Sequence, residues 1–144
     1  MKTRYFALIM GIGFLIVGIL GFVPALVSAP EGEQALLIEA GHGRLFGLFP
    51  VNVVHNLIHL AFGVWGVVVW RSFAPSRIYA RSVAIIYAVL AVMGLIPVLQ
   101  TTFGLVPIHG HDIWLHAVIA IVAAYFGYAS VTTVEAAGEP ARRA

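Results

Sequence analysis

The chain has 144 residues, of which 61% are hydrophobic and only 10% are charged, and its mean hydropathy is +0.99. Soluble domains carry about 25% charged residues, so an ordinary soluble domain is excluded and lipid is the expected surrounding of most of the chain. The formal charge of +2 comes without a lysine- or arginine-rich stripe, which excludes a nucleic-acid-binding surface. Cysteine is absent, which excludes disulfides, thiolate metal ligands and cysteine nucleophiles.

Four apolar runs follow one another, each close to the length of about 20 helical residues that crosses a bilayer. The predicted helices cover residues 5–27, 53–70, 82–99 and 113–131. The sequence therefore predicts an all-α, polytopic membrane domain with four transmembrane helices over residues 1–131. Residues 132–144 are predicted to form a disordered cytoplasmic tail.

The first run also has features of a signal peptide, because Lys2 and Arg4 precede it and a Val-Ser-Ala segment follows it. Its apolar stretch is longer than the usual signal core of about 7–15 residues. Its final Gly-x-x-Pro-x-Leu pattern also recurs at the end of the third run. A retained membrane helix is therefore the favoured interpretation.

Basic residues predict the orientation of the chain, since cytoplasmic loops are enriched in lysine and arginine. All but one lie at the N-terminus, between runs two and three, or in the tail: Lys2, Arg4, Arg71, Arg77, Arg81, Arg142 and Arg143. The two other loops together hold only Arg44. Both termini are therefore predicted to be cytoplasmic, in a multi-pass protein of the plasma membrane. All six histidines then fall at the outer ends of the helices. Residues 30–34 are predicted to form an exposed turn.

The chain repeats itself. An offset of 57 residues aligns Phe46 with Phe103 and His59 with His116, and it places His55 opposite Asp112. The pattern ending the first run recurs in the third at an offset of 73, so the first half carries a longer loop. These offsets predict two tandem helix pairs, a parallel internal repeat whose copies are related by an axis along the membrane normal.

Histidine and aspartate gather where the two copies are expected to meet. His55 and His59 are four residues apart on one helical face, as are Asp112 and His116. Small residues continue both faces, which predicts close packing of the second and fourth helices. Imidazole and carboxylate are ligands for divalent transition metals. The predicted ligands are His55, His59, Asp112 and His116, to which His42, His109 and His111 could add, and the predicted ion is zinc or copper.

Other interpretations of the same residues remain open. Asn52 and Asp112 stand where helix N-caps belong, and Asn52 and Asn56 could also orient the imidazoles. The histidines could form only a hydrogen-bonding network, or line a proton or ligand pathway. His42 and His111 read as ordinary loop residues.

Three function classes follow from these interpretations. A metal-binding or metal-transfer protein is favoured over an enzyme, because no serine has a plausible His–Asp partner. A b-type haem between His59 and His116 ranks lower, because the neighbouring small residues leave little room for a macrocycle. The third class is a structural subunit without a ligand. The expected partners are the lipid bilayer and a second copy of the chain or another membrane protein.

Two motifs resemble a known family. VNVVHNLIHL at residues 51–60 and PIHGHDIWLH at residues 107–116 are similar to those of a bacterial family of small four-helix integral membrane proteins, a domain of unknown function. The resemblance extends over residues 5–128 and implies a four-span membrane protein, but it implies no activity. The family often has asparagine at the position of His111. The resemblance therefore leaves His111 outside the ligand set and implies five core candidates: His55, His59, His109, Asp112 and His116.

Overall fold

The computed structural model describes residues 2–30 and 32–129, and the predicted tail at 132–144 lies outside these residues. Four helices and one small antiparallel sheet make up its regular structure. The helices are α1 (Lys2–Leu20), α2 (Val53–Val69), α3 (Phe73–Leu95) and α4 (His111–Ala124), the last continuing as a π-helical turn (Tyr125–Ala129). The strands are β1 (Val27–Ser28), β2 (Gly43–Leu45) and β3 (Phe49–Val51), paired in that order. The predicted all-α class describes the helices, and the sheet in the first long loop was not predicted.

Three of the helices are long and apolar enough to cross a membrane. They are α1, α3, and α4 together with its π-helical continuation, with mean hydropathies of 2.0, 1.9 and 1.5. Helix α2 is equally apolar in character but shorter, with 17 residues. The chain is thus mostly helical, and the composition of its helices suits a bilayer.

Helix α1 ends earlier than the apolar run suggests. It stops at Leu20 rather than at residue 27, and Pro24–Leu26 form a separate 3₁₀ turn. Proline lacks the amide hydrogen that a continuing helix needs, and the backbone before it is pushed into extended conformations. Hydrophobicity therefore overestimated the length of this helix.

Helix α3 differs from the prediction at both ends. It begins at Phe73 rather than residue 82, after extended Ser72, so Arg77 and Arg81 lie inside the helix. A search for uncharged runs misses such a start, although arginine is a good helix former. The helix ends at Leu95 rather than residue 99, and a second 3₁₀ turn, Pro97–Leu99, follows it.

The closest helix packing joins α1 to α2 and α3 to α4, and α1 also contacts α3. Glycines allow the first approach: a Cβ on Gly11 would lie 2.7 Å from the backbone nitrogen of Val67, and one on Gly66 would lie 2.7 Å from the carbonyl oxygen of Ala7. The predicted close packing of the second helix on the fourth is therefore wrong, because the small face of α2 is occupied by α1.

Aromatic rings fill the centre of the bundle. The ring of Phe14 on α1 stacks on that of Tyr87 on α3, with centroids 5.4 Å apart. Trp65 meets Tyr79 edge-on at 5.2 Å. This packed layer forms a floor, and the N-terminal ends of α2 and α4 carry their polar side chains above it.

The loops before α2 and α4 share one unusual pair of backbone conformations, although Thr102, which precedes the second pair, also has a positive φ of 48°. Phe46 and Gly47 both have positive φ angles, 56° and 72°, and Phe103 and Gly104 have φ angles of 59° and 83°. A positive φ is uncommon for phenylalanine because its Cβ crowds the backbone. The same unusual pair of conformations thus occurs twice, at equivalent places in the two halves of the sequence.

Candidate metal centre

Asn52 positions the start of helix α2. Its side-chain oxygen accepts a hydrogen bond from the backbone nitrogen of His55 at 2.9 Å, which confirms its predicted capping role. Its side-chain nitrogen donates to the carbonyl oxygens of Ile38 at 2.9 Å and Leu105 at 2.7 Å. The fully buried side-chain amide of Asn52 thereby joins the start of α2 to both outer loops. This fixes the position of His55 relative to the two loops.

His55 is held in a defined tautomer. Its Nδ1 lies 3.0 Å from the carbonyl oxygen of Pro50. A carbonyl oxygen can only accept, so Nδ1 must donate its proton. In the neutral ring this leaves the lone pair on Nε2. Metal-binding histidines commonly show this arrangement, in which a backbone carbonyl orients the ring from behind.

Helix α4 supplies the other two groups of the site. It begins at His111 after Gly110, so Asp112 lies inside its first turn and makes no capping hydrogen bond. The predicted capping role of Asp112 is thus wrong. Asp112 and His116 are one turn apart and both only 3% exposed, which places carboxylate and imidazole together on the face turned into the bundle.

His55, Asp112 and His116 form a buried group with metal-ligand chemistry. One ligand atom from each lies within 4.8 Å of the other two. The Oδ2 atom of Asp112 and the Nδ1 atom of His116 have no hydrogen-bond partner among the described residues. Burying a carboxylate without a partner is costly, and a cation between the three side chains would provide one.

The remaining predicted ligands lie close by or elsewhere. The ring of His59 packs against that of His55 at a tilt of 33°, with centroids 4.5 Å apart, and it stacks on the ring of Phe14 at 5.6 Å. Its Nδ1 is buried and has no hydrogen-bond partner in the described ranges. His59 thus adjoins the three-residue group without belonging to it. The ring of His59 lies between the ring of His55 and the aromatic layer that contains Phe14.

His109 belongs to a second cluster, in the outer loops. Its Nε2 lies 3.5 Å from a carboxylate oxygen of Glu33, which also contacts Nε2 of His42 at 2.8 Å. Arg44 contacts the other oxygen of Glu33. Burial of His109 lowers its pKa, and the opposing effect of the Glu33 carboxylate is smaller. The Glu33 side chain is only 1% exposed, so the expectation of an exposed turn at residues 30–34 is wrong for it.

His111 is the first residue of helix α4, so the prediction of an ordinary loop residue is wrong about its position. It is exposed, and its Nδ1 accepts a hydrogen bond from Trp114 at 3.0 Å. Asn56, by contrast, is completely buried, and both of its side-chain polar atoms lack hydrogen-bond partners among the described residues. The described residues therefore show no hydrogen bond by which Asn56 could orient an imidazole. The carbonyl oxygen of Pro50 orients the ring of His55 instead.

Two cavities flank the histidines. The larger, about 240 Å³, is lined by side chains of α1, α2, α3, α4 and the small sheet. The smaller, about 70 Å³, is lined by α2, α3, α4 and the second outer loop. His55, His59 and His116 line both cavities, so the same three imidazoles form part of the wall of each.

Tyr87 lines both cavities and was missed as a candidate. Its ring meets the ring of His116 edge-on, with centroids 5.0 Å apart. The 73-residue offset pairs Tyr87 with Phe14, and this correspondence was the available sequence signal. Glu33 was also missed, because nothing local to its sequence indicates that His42, Arg44 and His109 surround it.

Comparison with known proteins gives one result. The model of a family described as a domain of unknown function (DUF4383) matches residues 4–129. No curated protein and no solved structure gives a significant match. The family description assigns no activity, so the chemistry of the site has to carry any functional conclusion.

Proposed function

We propose a function from the site of this chain, which belongs to the family described as a domain of unknown function (DUF4383). The protein is a four-span membrane protein that holds a divalent transition-metal ion between His55, Asp112 and His116. The ion is bound or passed on, and no catalytic step is assigned. The lipid bilayer surrounds the helices, and both termini lie on the cytoplasmic side.

The proposal of four spans includes α2, the shortest helix. Its 17 residues are at the lower limit of the roughly 17–25 residues found in transmembrane helices. It packs along α1 and carries no charged residue, which favours a position inside the same membrane layer. The arginines at the opposite end from the histidines, Arg71, Arg77 and Arg81, favour a cytoplasmic placement of that end.

Two tandem helix pairs are supported by burial and backbone conformation. At the offset of 73, the buried positions of α1 coincide with those of α3: Phe6 with Tyr79, Ala7 with Ala80, Gly11 with Ala84, Phe14 with Tyr87 and Gly18 with Ala91. At the offset of 57, buried His59, Gly63 and Gly66 of α2 coincide with buried His116, Ala120 and Ala123 of α4. The two 3₁₀ turns and the two Phe-Gly turns also occur at equivalent positions.

The observation that carries the metal proposal is the buried carboxylate between two imidazoles. Three potential ligand atoms lie within 4.8 Å of one another, and Asp112 has an unpartnered oxygen. The Pro50 carbonyl leaves Nε2 of His55 free to bind. Two histidines and one carboxylate, with a coordination position open for water or substrate, are a donor set found at zinc and ferrous iron sites.

Metal analysis of detergent-purified protein tests this proposal. We expect one zinc, copper or iron ion per chain in wild type, and loss of that ion in His116→Ala. His111→Ala is the matched control, because it removes an exposed imidazole from the same helix. Protein that contains no metal and takes up none of these ions on titration would contradict the proposal, as would equal metal contents in the two variants.

A haem remains the second candidate for the same histidines, and an absorption spectrum of the same sample distinguishes it. Pockets for drug-sized ligands measure roughly 300–1,000 Å³, and the larger cavity here measures about 240 Å³. This size favours an ion with a small molecule beside it. A Soret band in the purified protein would reverse this preference.

A further inference from the structure

We propose that the larger cavity binds a lipid-soluble molecule consisting of a single substituted six-membered ring with an oxygen atom, of the quinone or phenol type. The ring enters from the bilayer between α1 and α4, and its oxygen meets the imidazoles and the carboxylate at the inner end of the cavity. This inference rests on the proposed function for the membrane placement of the helices, but it does not require the metal.

The position of the cavity favours access from lipid. Helices α1 and α4 both line it, but they have no extensive packing contact with each other. Val17 of α1 and Ile119 of α4 are half-buried on its wall. Their sequence neighbours Ile16 and Val118 are exposed, at 51% and 49%. Apolar residues therefore flank the gap on both sides, as expected for an opening toward hydrocarbon rather than toward water.

The lining of the cavity is divided by polarity. Most of the wall is apolar and includes the rings of Phe14, Phe49 and Tyr87. The polar side chains that reach it belong to the histidine cluster, and His59, Asp112 and His116 each have a buried polar atom without a hydrogen-bond partner among the described residues. A flat apolar body can pack against these rings, while a carbonyl or hydroxyl oxygen can bond to an imidazole.

The size of the cavity limits the occupant. An apolar cavity of about 150 Å³ is known to hold benzene. At about 240 Å³, this cavity has room for one ring with several small substituents. A long acyl chain or a second ring would have to extend through the gap into the surrounding lipid.

Gly13 keeps part of this volume open. A Cβ built on Gly13 would have no heavy atom within 4 Å, although the residue lines the cavity. The other glycines of α1 differ, since a Cβ on Gly11 or Gly18 would collide with α2. Glycine in the middle of a helix is unfavourable. No packing contact requires a glycine at position 13. The cavity in front of Gly13 gives a reason for the absence of a side chain there.

Binding of three matched probes to the full chain in detergent tests the inference. Duroquinone, tetramethylphenol and the hydrocarbon durene share a planar six-membered ring with four methyl groups. They carry two carbonyl oxygens, one hydroxyl oxygen and no oxygen, respectively, and tetramethylphenol and durene also share an aromatic ring. Saturation-transfer NMR on the methyl signals measures each. We expect wild type to bind duroquinone or tetramethylphenol about tenfold more tightly than durene, the effect of roughly one hydrogen bond. Which of the two binds more tightly distinguishes a carbonyl from a hydroxyl ligand.

Gly13→Leu is the decisive variant, because a Cβ at this position meets no neighbouring atom and the rest of the leucine side chain would extend into the cavity that Gly13 lines. We expect it to weaken binding of the oxygenated ring by at least tenfold, whereas Ile12→Leu on the exposed face of α1 leaves it unchanged. Leu115→Trp fills the cavity from α4 and gives a second test if Gly13→Leu does not fold. Equal binding by wild type and the folded filled variants would mean partition into the micelle and would overturn the inference. Equal affinity for durene and the oxygenated rings would also overturn it.

Metal content measured on the same samples separates this inference from the proposed function. Gly13→Leu is expected to lose the ring and keep the ion. His116→Ala is expected to lose the ion. Wild type that binds the ring but no metal would refute the metal site alone. Wild type that binds metal but does not distinguish the ring probes would refute the ring site alone.

Discussion

The two cavities on either side of the histidines occupy equivalent places in the proposed repeat, yet one is more than three times as large as the other. Val17, Leu45 and Phe49 line the larger cavity. The residues aligned with them, Leu90, Thr102 and Val106, line the smaller. The same three imidazoles border both cavities, and side-chain size at these three aligned pairs does not account for the difference in volume, because Leu45 and Phe49 are larger than Thr102 and Val106.

The key substitution in this comparison is at Gly13, whose aligned residue is Ile86. Gly13 lines the larger cavity, whereas Ile86 is 39% exposed and lines neither. The polar groups diverge as well, since His55 is aligned with Asp112. A symmetric pair of copies would present four imidazoles and no carboxylate. The exchange of one imidazole for a carboxylate gives the proposed site its acidic side chain.

The largest expected effect is on metal affinity, when the negative charge of Asp112 is removed. Asp112→Asn keeps the shape of the side chain but removes its negative charge. We expect metal affinity to fall by about 100-fold or more, beyond the range of about 10–100-fold for losing an outer partner of a ligand. Without metal, the same variant should be more stable than wild type, because a buried carboxylate with an unpartnered oxygen is removed.

Titration of metal into both proteins, with thermal unfolding at each concentration, measures the two effects together. Plots of melting temperature against metal concentration should cross for the two proteins. The variant should be more stable than wild type without metal and less stable than wild type at saturating metal. If Asp112→Asn and wild type gain the same stabilisation from the ion, the carboxylate is not a ligand. Trp114→Phe on the exposed side of α4 serves as a control for nonspecific changes in this helix.

The next effect compares two glycines that the sequence does not distinguish. A Cβ on Gly66 would lie 2.7 Å from the Ala7 carbonyl oxygen, whereas one on Gly13 would meet nothing within 4 Å. Gly66→Ala should therefore destabilise the protein by about 1–3 kcal/mol through overpacking. Gly13→Ala should stabilise it by up to about 1 kcal/mol. Unfolding in mixed micelles measures both. Equal effects of the two substitutions would contradict the packing of α1 on α2.

Much of the site is predictable because its spacing is local. One helical turn separates Asp112 from His116, and the 57-residue offset places His55 opposite Asp112. The same offset also predicts His59 as a ligand, but His59 lies outside the group of three. What spacing cannot predict is which helix covers which face. The small face of α2 was assigned to the fourth helix, but α1 occupies it, since apolar helices in lipid differ little except in side-chain shape.

The outer loops were harder to predict for a related reason. Glu33 pairs with His42 and Arg44 on its own loop and approaches His109 on the other. These contacts depend on the three short strands that fold the first loop back on itself, and two- or three-residue strands leave almost no periodic signal. A polar loop sequence therefore read as exposed, although it encloses a buried carboxylate.

A smaller effect should come from Asn52, which the repeat aligns with His109. Asn52→Ala removes the cap of α2 and the donor to Ile38 and Leu105. We expect a loss of about 2 kcal/mol, at the upper end of the range for a helix cap. Asn52→Asp keeps the capping oxygen and removes the donor, so it separates the two contributions. A thermal melt of each variant provides the measurement, and an unaffected Asn52→Ala would show that the loops are held in another way.

The smallest effect is expected at His109, and it depends on pH. Burial lowers the pKa of His109 below 6.5, opposed by Glu33 and assisted by the charges of Arg44 and His42. The unfolded chain then takes up this proton more readily than the folded one. The associated stability is present above pH 6.5 and is lost as pH falls through the lower pKa of the folded state.

His109→Gln removes this titration while keeping a polar side chain of similar length. Between pH 7.5 and pH 5 its melting temperature should fall less than that of wild type, because the variant lacks the imidazole whose lowered pKa destabilises the folded state in acid. His111→Gln, at an exposed position, should follow wild type. Parallel curves for His109→Gln and wild type would mean that the Glu33 cluster does not sense pH. In that case His109, like the aligned Asn52, would stabilise its outer loop to the same extent at every pH in this range.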